Sequence, residues 1–247
     1  MSNSIGKTFW QQTKPGFVPQ SPQRLGVPQP PLELPYDPAT PLIRLIEPAQ
    51  LNLPSASLWE VMNRRATLRR YSSEPLSLNE LSALLWFTQG VKEVTHRPVT
   101  LRTVPSAGAR HAFETYLLVN RVEGLQPGLY RYAALEHALL GLNFEENINE
   151  TLTRACFDQH QVATSAVTFF WAAVAERMLW RYPERGYRYL LLDAGHICQN
   201  LYLAAEGLGC GVCAIAAYDD DAVNTALGLD GEAVFVAYAA SLGKRTA

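Results

Sequence analysis

The chain has 247 residues, of which 48% are hydrophobic and 18% charged, with a formal net charge of −2. This length and composition predict a globular protein with a full core. The nearly balanced charge argues against nucleic-acid binding through bulk electrostatics. The sequence has no apolar run long enough to cross a bilayer, and its first 17 residues lack the apolar core of a signal peptide. We therefore expect a cytoplasmic protein without membrane or nucleic-acid partners.

The first part of the chain is predicted to be a proline-rich arm at 1–56, followed by one globular domain at 57–247. Eleven of the sixteen prolines precede residue 55. Proline fixes the backbone and removes a hydrogen-bond donor, so the arm is expected to be extended and without a packed helix. Apolar residues such as Leu42, Ile43 and Leu45 predict that its second half docks on the domain or on a partner.

The domain is predicted to begin with two helices. The first covers 57–65. The second starts at a capping box formed by Ser77 and Glu80 and ends at Gly90. Residues 92–104 are expected to form a mobile polar loop.

Strands are predicted from β-branched and aromatic runs. Closely spaced runs at 115–119, 128–132 and 137–141 indicate an antiparallel meander. The run at 167–174 indicates a central strand. The segment 185–208 predicts one long helix that is apolar nearly all round, and therefore buried in the core or between subunits.

The C-terminal part of the chain completes the predicted fold. Strands near 212–217 and 232–239 flank a short helix at 219–227. Together these elements predict an α+β protein with a mostly antiparallel central sheet surrounded by helices. The common nucleotide-binding fingerprints, GxGxxG after a strand and the Walker loop, are absent from the sequence.

The chain has four cysteines, Cys156, Cys198, Cys210 and Cys213. The last two have CxxC spacing, but neither a second pair nor a nearby histidine completes a zinc site. The residues that follow them favour a strand, whereas a redox dithiol precedes a helix. We expect buried, reduced thiols and no metal site.

The densest charge cluster lies at 64–70. Four arginines, Arg64, Arg65, Arg69 and Arg70, occur there within seven residues. Arginine offers fixed, planar donors to phosphate oxygens, and the hydroxyl of Thr67 adds another. The alternative is a solvated basic turn.

Several segments carry a family resemblance. The run RATLRRY at 65–71 resembles the opening motif of the FMN-dependent nitroreductase superfamily. The run PSAGARH at 105–111 resembles the signature of its SagB/ThcOx branch, the azoline dehydrogenases of thiazole and oxazole biosynthesis. Further similar runs lie at 128–132, 185–189, 195–201 and 208–218. The resemblance covers about residues 57–247 and depends on the order and spacing of these runs together.

The resemblance implies a nitroreductase-like fold, an intertwined homodimer, and FMN bound noncovalently at the subunit interface. Arg65, Thr67 and Arg69 would hold the phosphate and ribityl oxygens, while Ala66 offers only its backbone. A basic residue near the C-terminus would complete the phosphate site. The candidates for this role are Lys244 and Arg245.

The same resemblance assigns residues to the flavin ring. The pyrimidine side would be lined by Ser106, Ala107, Gly108 and Arg110. The backbone amides of Ala216 and Ala217 would lie near N5, the atom that takes or gives hydride. The alternatives are an ordinary loop at 105–111 and plain strand packing at 216–217.

The candidate catalytic residues are Arg181 and Tyr182, where azoline dehydrogenases are associated with a Lys-Tyr pair. Arginine stays protonated and cannot act as a base. Tyr182 can, if the positive field of Arg177, Arg181 and Arg185 lowers its pKa. The alternative is that the pair packs and contacts a neighbouring glutamate.

Two histidines are further candidates for site residues. Asp193 and His196 lie three residues apart on the long helix, but without an exposed nucleophile they are interpreted as a structural pair. His111 is interpreted as a flavin neighbour or a substrate-pocket residue.

Three functions remain open. The first is an FMN-dependent oxidoreductase that transfers hydride through N5 and oxidises an azoline or related ring, borne on a peptide or on a small molecule of a biosynthetic pathway. The second is NAD(P)H-dependent reduction of nitro compounds or quinones. The third is a noncatalytic flavin-binding scaffold subunit that docks a peptide-modifying partner enzyme through the arm.

Overall fold

The computed structural model describes residues 4–246. The helices in this range are α1 (Ile5–Gln12), α2 (Leu58–Arg64), α3 (Leu78–Gln89), α4 (Ile148–Ala155), α5 (His160–Thr164), α6 (Ala175–Leu179), α7 (Gly186–Gly207) and α8 (Asp220–Ala226). The strands are β1 (Leu42–Arg44), β2 (Val91–Val94), β3 (Thr100–Arg102), β4 (Phe113–Val119), β5 (Gly128–Ala133), β6 (Ala138–Asn143), β7 (Val167–Val174), β8 (Cys210–Ile215) and β9 (Val234–Lys244).

Seven strands form one sheet in the order β1-β6-β5-β4-β7-β9-β8. Each neighbouring pair in it is antiparallel. The predicted α+β class, the meander β4-β5-β6 and the interior position of β7 are therefore confirmed. None of the helices between residues 4 and 246 is long and apolar enough to span a bilayer.

The strand β7 shows why the core has two layers. All eight of its residues are buried. Successive side chains of a strand point to opposite faces of the sheet, so a strand covered on both faces is apolar throughout. Phe169 and Trp171 pack with α7, whereas Phe170 and Ala172 pack with α4 and α8.

The long helix α7 is confirmed nearly to its predicted ends, but only one of its faces is covered. Leu190, Ala194 and Ile197 are buried against the sheet. Leu191 and Leu192, by contrast, are 61% and 59% exposed. The helix thus leaves two adjacent leucines uncovered in the single chain.

The prediction of a mobile loop at 92–104 is wrong. Strands β2 and β3 form a separate antiparallel hairpin, in which Thr95 N donates to Val99 O at 3.0 Å. The β-branched residues on both sides of the turn favour this pairing. Lys92, Glu93, His96 and Arg97 interrupt the apolar and β-branched residues, so the sequence shows no clear strand pattern here.

The arm differs from the extended chain that was expected. Residues 5–12 form α1, with Ser4 as its N-cap. This helix precedes Pro15, the first proline, so no proline prevents residues 5–12 from forming a helix. The second half docks as predicted, because β1 pairs with β6 at the edge of the sheet and Leu45 is buried.

The four cysteines are buried and free, as predicted. Burial raises the pKa of Cys156, Cys198 and Cys210 to about 12, so these thiols stay protonated.

Candidate functional site

The arginine-rich segment crosses the open edge of the sheet. After α2 ends, Thr67 forms a parallel bridge with Val212 of β8, and Leu68 N donates to Val212 O at 2.9 Å. A Cβ at Gly211 would lie 2.5 Å from Leu68 Cδ2, so only glycine allows the segment to lie this close to the strand. The fold therefore holds 65–70 against β8.

Tyr202 of α7 joins this segment to the sheet. The Arg65 guanidinium lies 5.4 Å from the centre of the Tyr202 ring. Tyr202 Oη is 3.2 Å from Thr67 Oγ1 and accepts a hydrogen bond from Ala214 N at 3.0 Å. Ala66, Thr67 and Arg69 remain exposed. Sequence reasoning missed Tyr202, whose only signal was a polar hydroxyl within an apolar helix.

Of the two C-terminal candidates, Arg245 lies with this group. Arg245 contacts the buried carboxylate of Glu206, and Arg64 Nε lies 3.6 Å from the same carboxylate. Lys244 instead contacts Glu80 and lies 3.6 Å from a carboxylate oxygen of Glu74. Lys244 is thus paired with two acidic side chains, as Arg245 is with Glu206.

Arg69 lies beside Cys213 of β8. Burial raises the pKa of the Cys213 thiol, and the neighbouring Arg69 guanidinium opposes this effect. We call this set of side chains the arginine cluster. It consists of Arg64, Arg65, Thr67, Arg69, Tyr202, Glu206 and Arg245.

Ala216 and Ala217 follow β8 directly and are exposed. Ala217 O accepts a hydrogen bond from Gln159 Nε2 at 2.7 Å. Because a strand advances about 3.3 Å per residue, Ala216 lies about 7 Å along the chain from Ala214, which Tyr202 holds. These two residues therefore lie beyond the end of β8 that is farther from Arg245, whose N donates to Gly209 O at 3.3 Å.

The second group of predicted residues is the loop at 105–111, which contains a short 3₁₀ turn, Ala107–Ala109. Gly108, Ala109 and His111 have φ values of 60°, 52° and 42°. Non-glycine residues rarely adopt positive φ, and such strain is typical of ligand-binding and catalytic loops. We call these residues the 105–111 loop.

Hydrogen bonds hold the 105–111 loop in this conformation. His111 N donates to Ser106 Oγ at 2.9 Å, and Arg110 Nε donates to Gly108 O at 3.1 Å. Burial, with the Arg102 and Arg110 charges, lowers the pKa of His111 to about 3, so this side chain is neutral at pH 7. His111 is a buried support of the loop.

Asp193 of α7 supports the loop from below. Its Oδ1 accepts a hydrogen bond from Ala107 N at 3.2 Å. Burial raises the pKa of this carboxyl, while the hydrogen bond from Ala107 opposes the shift. Its buried Oδ2 has no hydrogen-bond partner among residues 4–246. The predicted structural pair is therefore corrected, since Asp193 bonds the loop and His196 is exposed.

The pair Arg181 and Tyr182 lies directly against the 105–111 loop. A Cβ at Gly108 would stand 2.6 Å from Tyr182 Oη and 3.1 Å from Arg181 Cδ. The Arg181 guanidinium lies 5.6 Å from the centre of the Tyr182 ring, which packs edge-on against Tyr189 at 4.9 Å. The fold thus brings together two segments that are about 70 residues apart in sequence.

The three arginines expected to act on Tyr182 are engaged in different ways. Arg177 is buried and forms an ion pair with Glu114 at 2.7 Å, which compensates its charge. Arg185 donates to Tyr189 Oη at 2.8 Å and to Thr13 O at 3.0 Å. Only Arg181 remains stacked on the Tyr182 ring.

The arm also reaches this end of the site. The Arg110 guanidinium lies 5.1 Å from the Trp180 ring centre, and Trp180 Nε1 donates to Val27 O at 2.7 Å. Arg177 Nε donates to Pro31 O at 2.8 Å. The backbone at 27–31 therefore accepts hydrogen bonds from Trp180 and Arg177, which lie near the 105–111 loop. The sequence did not predict this contact.

Replacing Gly108 by alanine is expected to lower the free energy of unfolding by about 1–3 kcal/mol. The substitution adds a clash with Tyr182 Oη to the strain of a positive φ. Urea denaturation measures the loss. Gly124→Ala is the control, since Gly124 has φ +79° but no atom within 4 Å of a built Cβ. Equal losses in the two variants would contradict the close Gly108–Tyr182 contact.

The arginine cluster and the 105–111 loop contact α7 at different heights. Asp193 and Tyr202 are nine residues apart on this helix, a rise of about 14 Å. The arginine cluster offers donors suited to a phosphate. The 105–111 loop and Asp193 offer polar groups suited to the edge of a polar ring. Among the described residues 4–246, there is no group of three or more His, Cys, Asp and Glu side chains that could hold a metal ion.

An antiparallel sheet with α7 across one face is the fold of the nitroreductase-like α+β proteins. A nitroreductase structure from Anabaena variabilis matches 76% of this chain and 38% of its own, with 33% identity and a TM-score of 0.66. The Escherichia coli microcin synthetase McbBCD complex, with truncated pro-MccB17 bound, has a chain that matches 97% of this one and 87% of its own. Its 21% identity and TM-score of 0.61 show the fold alone.

The chain belongs to the nitroreductase family, whose sequence model matches residues 61–244. The family resemblance inferred from the motifs is thereby confirmed. The protein MJ1384 of Methanocaldococcus jannaschii, named as a nitroreductase, is 34% identical over 69% of this chain and 83% of its own length.

Two further relatives are peptide-processing proteins. The trifolitoxin-processing protein TfxB of Rhizobium leguminosarum is 29% identical over 63% of this chain and 44% of its own. The microcin B17-processing protein McbC of E. coli is 28% identical over 52% and 49%. The chain thus spans about half the length of these two relatives. The family membership makes the protein a nitroreductase-family oxidoreductase with relatives in peptide-toxin processing.

Proposed function

We propose that this protein is an FMN-dependent oxidoreductase of the SagB/ThcOx type that oxidises an azoline or related ring on a peptide or small molecule. The observation that supports the proposal is the closeness of Tyr182 to Gly108, where a built Cβ would lie 2.6 Å from Tyr182 Oη, so the proposed proton acceptor adjoins the loop expected to line the flavin ring. Members of the nitroreductase family typically bind a flavin.

The side chains present fit FMN at both ends. At the arginine cluster, Arg65, Thr67 and Arg69 supply two guanidinium groups and a hydroxyl within five residues, and Thr67 and Arg69 are exposed. Such donors suit phosphate and ribityl oxygens. At the other end, the buried and unpartnered Oδ2 of Asp193 is an acceptor beneath the 105–111 loop. A flavin ring carries both donors and acceptors along its polar edge.

We further propose a homodimer in which the arginine cluster of one copy faces the 105–111 loop of the other. The two groups are separated along α7, and the uncovered leucines of that helix supply an apolar surface. An open groove of about 340 Å³ lies beside them. It is lined by Phe9, Glu184, Tyr187, Leu190, Leu191, Phe235 and Ala237. A second copy packed against this groove would remove its apolar side chains from water.

The chemistry divides between the cofactor and the chain. FMN, when bound, supplies a ring that accepts a hydride at N5. Oxidation of an azoline to an azole removes one hydride and one proton from adjacent atoms, so the chain must take the proton. The Tyr182 oxygen is the proposed acceptor. The Arg181 guanidinium, 5.6 Å from the centre of the Tyr182 ring, would place a positive charge beside this proposed proton acceptor.

The second candidate function is NAD(P)H-dependent reduction of nitro compounds or quinones. Arg181 in place of the family lysine and the similarity to MJ1384 favour it. In this reaction the flavin transfers the hydride and the chain need not supply a base. A noncatalytic scaffold subunit would bind FMN without either reaction.

Turnover assays separate the three functions. Purified protein with FMN is tested with thiazoline and oxazoline substrates under oxygen, and separately with NAD(P)H and a nitroarene or quinone. Azole formation supports the proposal, and NAD(P)H consumption without azole formation supports the reductase. Bound FMN that cycles with neither set would support the scaffold.

A further inference from the structure

We propose that Tyr202 is the positioning residue of the flavin phosphate site, acting through Arg65 and Thr67. This inference depends on the proposed binding of FMN. It adds a residue that the family motifs did not indicate, and it assigns separate tasks to the hydroxyl and to the ring of that residue.

The hydroxyl of Tyr202 completes the open edge of the sheet. Strand β8 is the last strand of the seven, so one of its edges has no neighbouring strand. The segment at 67–68 bonds this edge at Val212, and Tyr202 Oη accepts from Ala214 N two residues further along. Since Oη is also within 3.2 Å of Thr67 Oγ1, one hydroxyl fixes both the strand edge and the threonine.

The ring of Tyr202 orients Arg65. A guanidinium within about 6 Å of an aromatic centre is attracted to the ring face. Arg65 lies at 5.4 Å and makes no ion pair within residues 4–246. The ring therefore directs this guanidinium without consuming its hydrogen-bond donors, which remain available to a phosphate.

The next turn of α7 supports the same task. Glu206 lies four residues after Tyr202, on the same side of the helix, and contacts Arg64 and Arg245. One edge of α7 thus contacts four members of the arginine cluster. Residues from the loop after α2 and from the end of β9 converge on this edge, although they are about 180 residues apart in sequence.

The test measures the dissociation constants of FMN and riboflavin by fluorescence titration of the apoprotein. Riboflavin lacks the phosphate, so the ratio of the two constants reports on the phosphate site. Tyr202→Leu removes the ring and the hydroxyl, and Tyr202→Phe removes only the hydroxyl. Tyr130→Phe is the control, since it deletes the bond from Tyr130 Oη to Gln126 O at 2.6 Å on β5.

We expect Tyr202→Leu to raise the dissociation constant of FMN about twentyfold, and to lower the ratio of the riboflavin constant to the FMN constant about fourfold. Tyr202→Phe should weaken FMN binding about fivefold and riboflavin binding about twofold, because it releases Thr67 from the hydroxyl while the ring still orients Arg65. Tyr130→Phe should bind both flavins like the wild type. If Tyr202→Leu does not fold, Tyr202→Phe decides, because equal weakening of FMN and riboflavin binding by that variant would overturn the inference.

Three results would overturn the inference while leaving FMN binding intact. They are wild-type affinity for FMN in the Tyr202 variants, equal weakening of both flavins by Tyr202→Leu, and an effect of Tyr130→Phe as large as that of Tyr202→Leu. A wild-type protein that binds no FMN would overturn the proposed function, and the role of Tyr202 with it.

Discussion

Replacing Arg65 and Arg69 together by alanine is expected to weaken FMN binding by about a hundred- to ten-thousand-fold, so that the flavin separates from the protein on gel filtration. A hydrogen bond to a charged group contributes about 1.5–3 kcal/mol, and the double variant removes two such contacts. Neither arginine forms an ion pair within the described part of the chain, so their loss should leave the fold intact.

The matched control for this prediction removes two other arginines. Arg70 adjoins the cluster and Arg97 lies in the turn between β2 and β3, and both are exposed. The Arg70→Ala, Arg97→Ala variant has the same net charge as the test variant and should retain FMN. Full flavin retention in the test variant, or equal loss in both, would show that Arg65 and Arg69 do not hold the phosphate.

The second prediction concerns Tyr182→Phe. We expect this variant to lose azoline oxidation by at least about a hundredfold, since general-base catalysis contributes about 10²- to 10⁴-fold. Reduction of a dye by NAD(P)H should remain largely intact, because that reaction uses no base from the chain. Steady-state rates of both reactions, measured on the same preparation with bound FMN, give the comparison.

Tyr189→Phe is the control for that experiment. The Tyr189 ring packs edge-on against Tyr182, and its hydroxyl accepts a hydrogen bond from Arg185. Loss of this hydroxyl should leave both activities near the wild-type rates. If Tyr182→Phe reduced both activities equally, Tyr182 would not be the proton acceptor that distinguishes them.

The elements that the sequence predicts well carry their signals locally. The capping box at Ser77 and Glu80 was predicted and is present in full. The apolar run of β7 also sufficed, because a strand that is buried along its length leaves little room for polar residues, and the long, largely apolar segment of α7 sufficed to locate that helix. The edge strand β1 pairs with β6, about 95 residues away, so no local signal predicts it. In the local β2–β3 hairpin, charged residues interrupt the apolar pattern.

The site was predictable only in pieces. The motif resemblance indicated 65–71, 105–111 and 181–182 as separate segments, but their grouping is a property of the fold. Asp193 was interpreted through its helical neighbour, whereas its actual contact is the amide of Ala107, 86 residues away. Likewise, local spacing does not show that Lys244 contacts Glu80 or that Arg245 contacts Glu206. These contacts join residues that are distant in sequence, so local spacing does not predict them.

The most direct test of the account is the absorbance spectrum of the purified protein, followed by denaturation and identification of the released compound. The account predicts flavin absorbance bands and the release of FMN, not of riboflavin or FAD, because the arginine cluster is suited to a terminal phosphate. A colourless protein that cannot be reconstituted with FMN would contradict it, and the arginine cluster would then be a solvated basic turn.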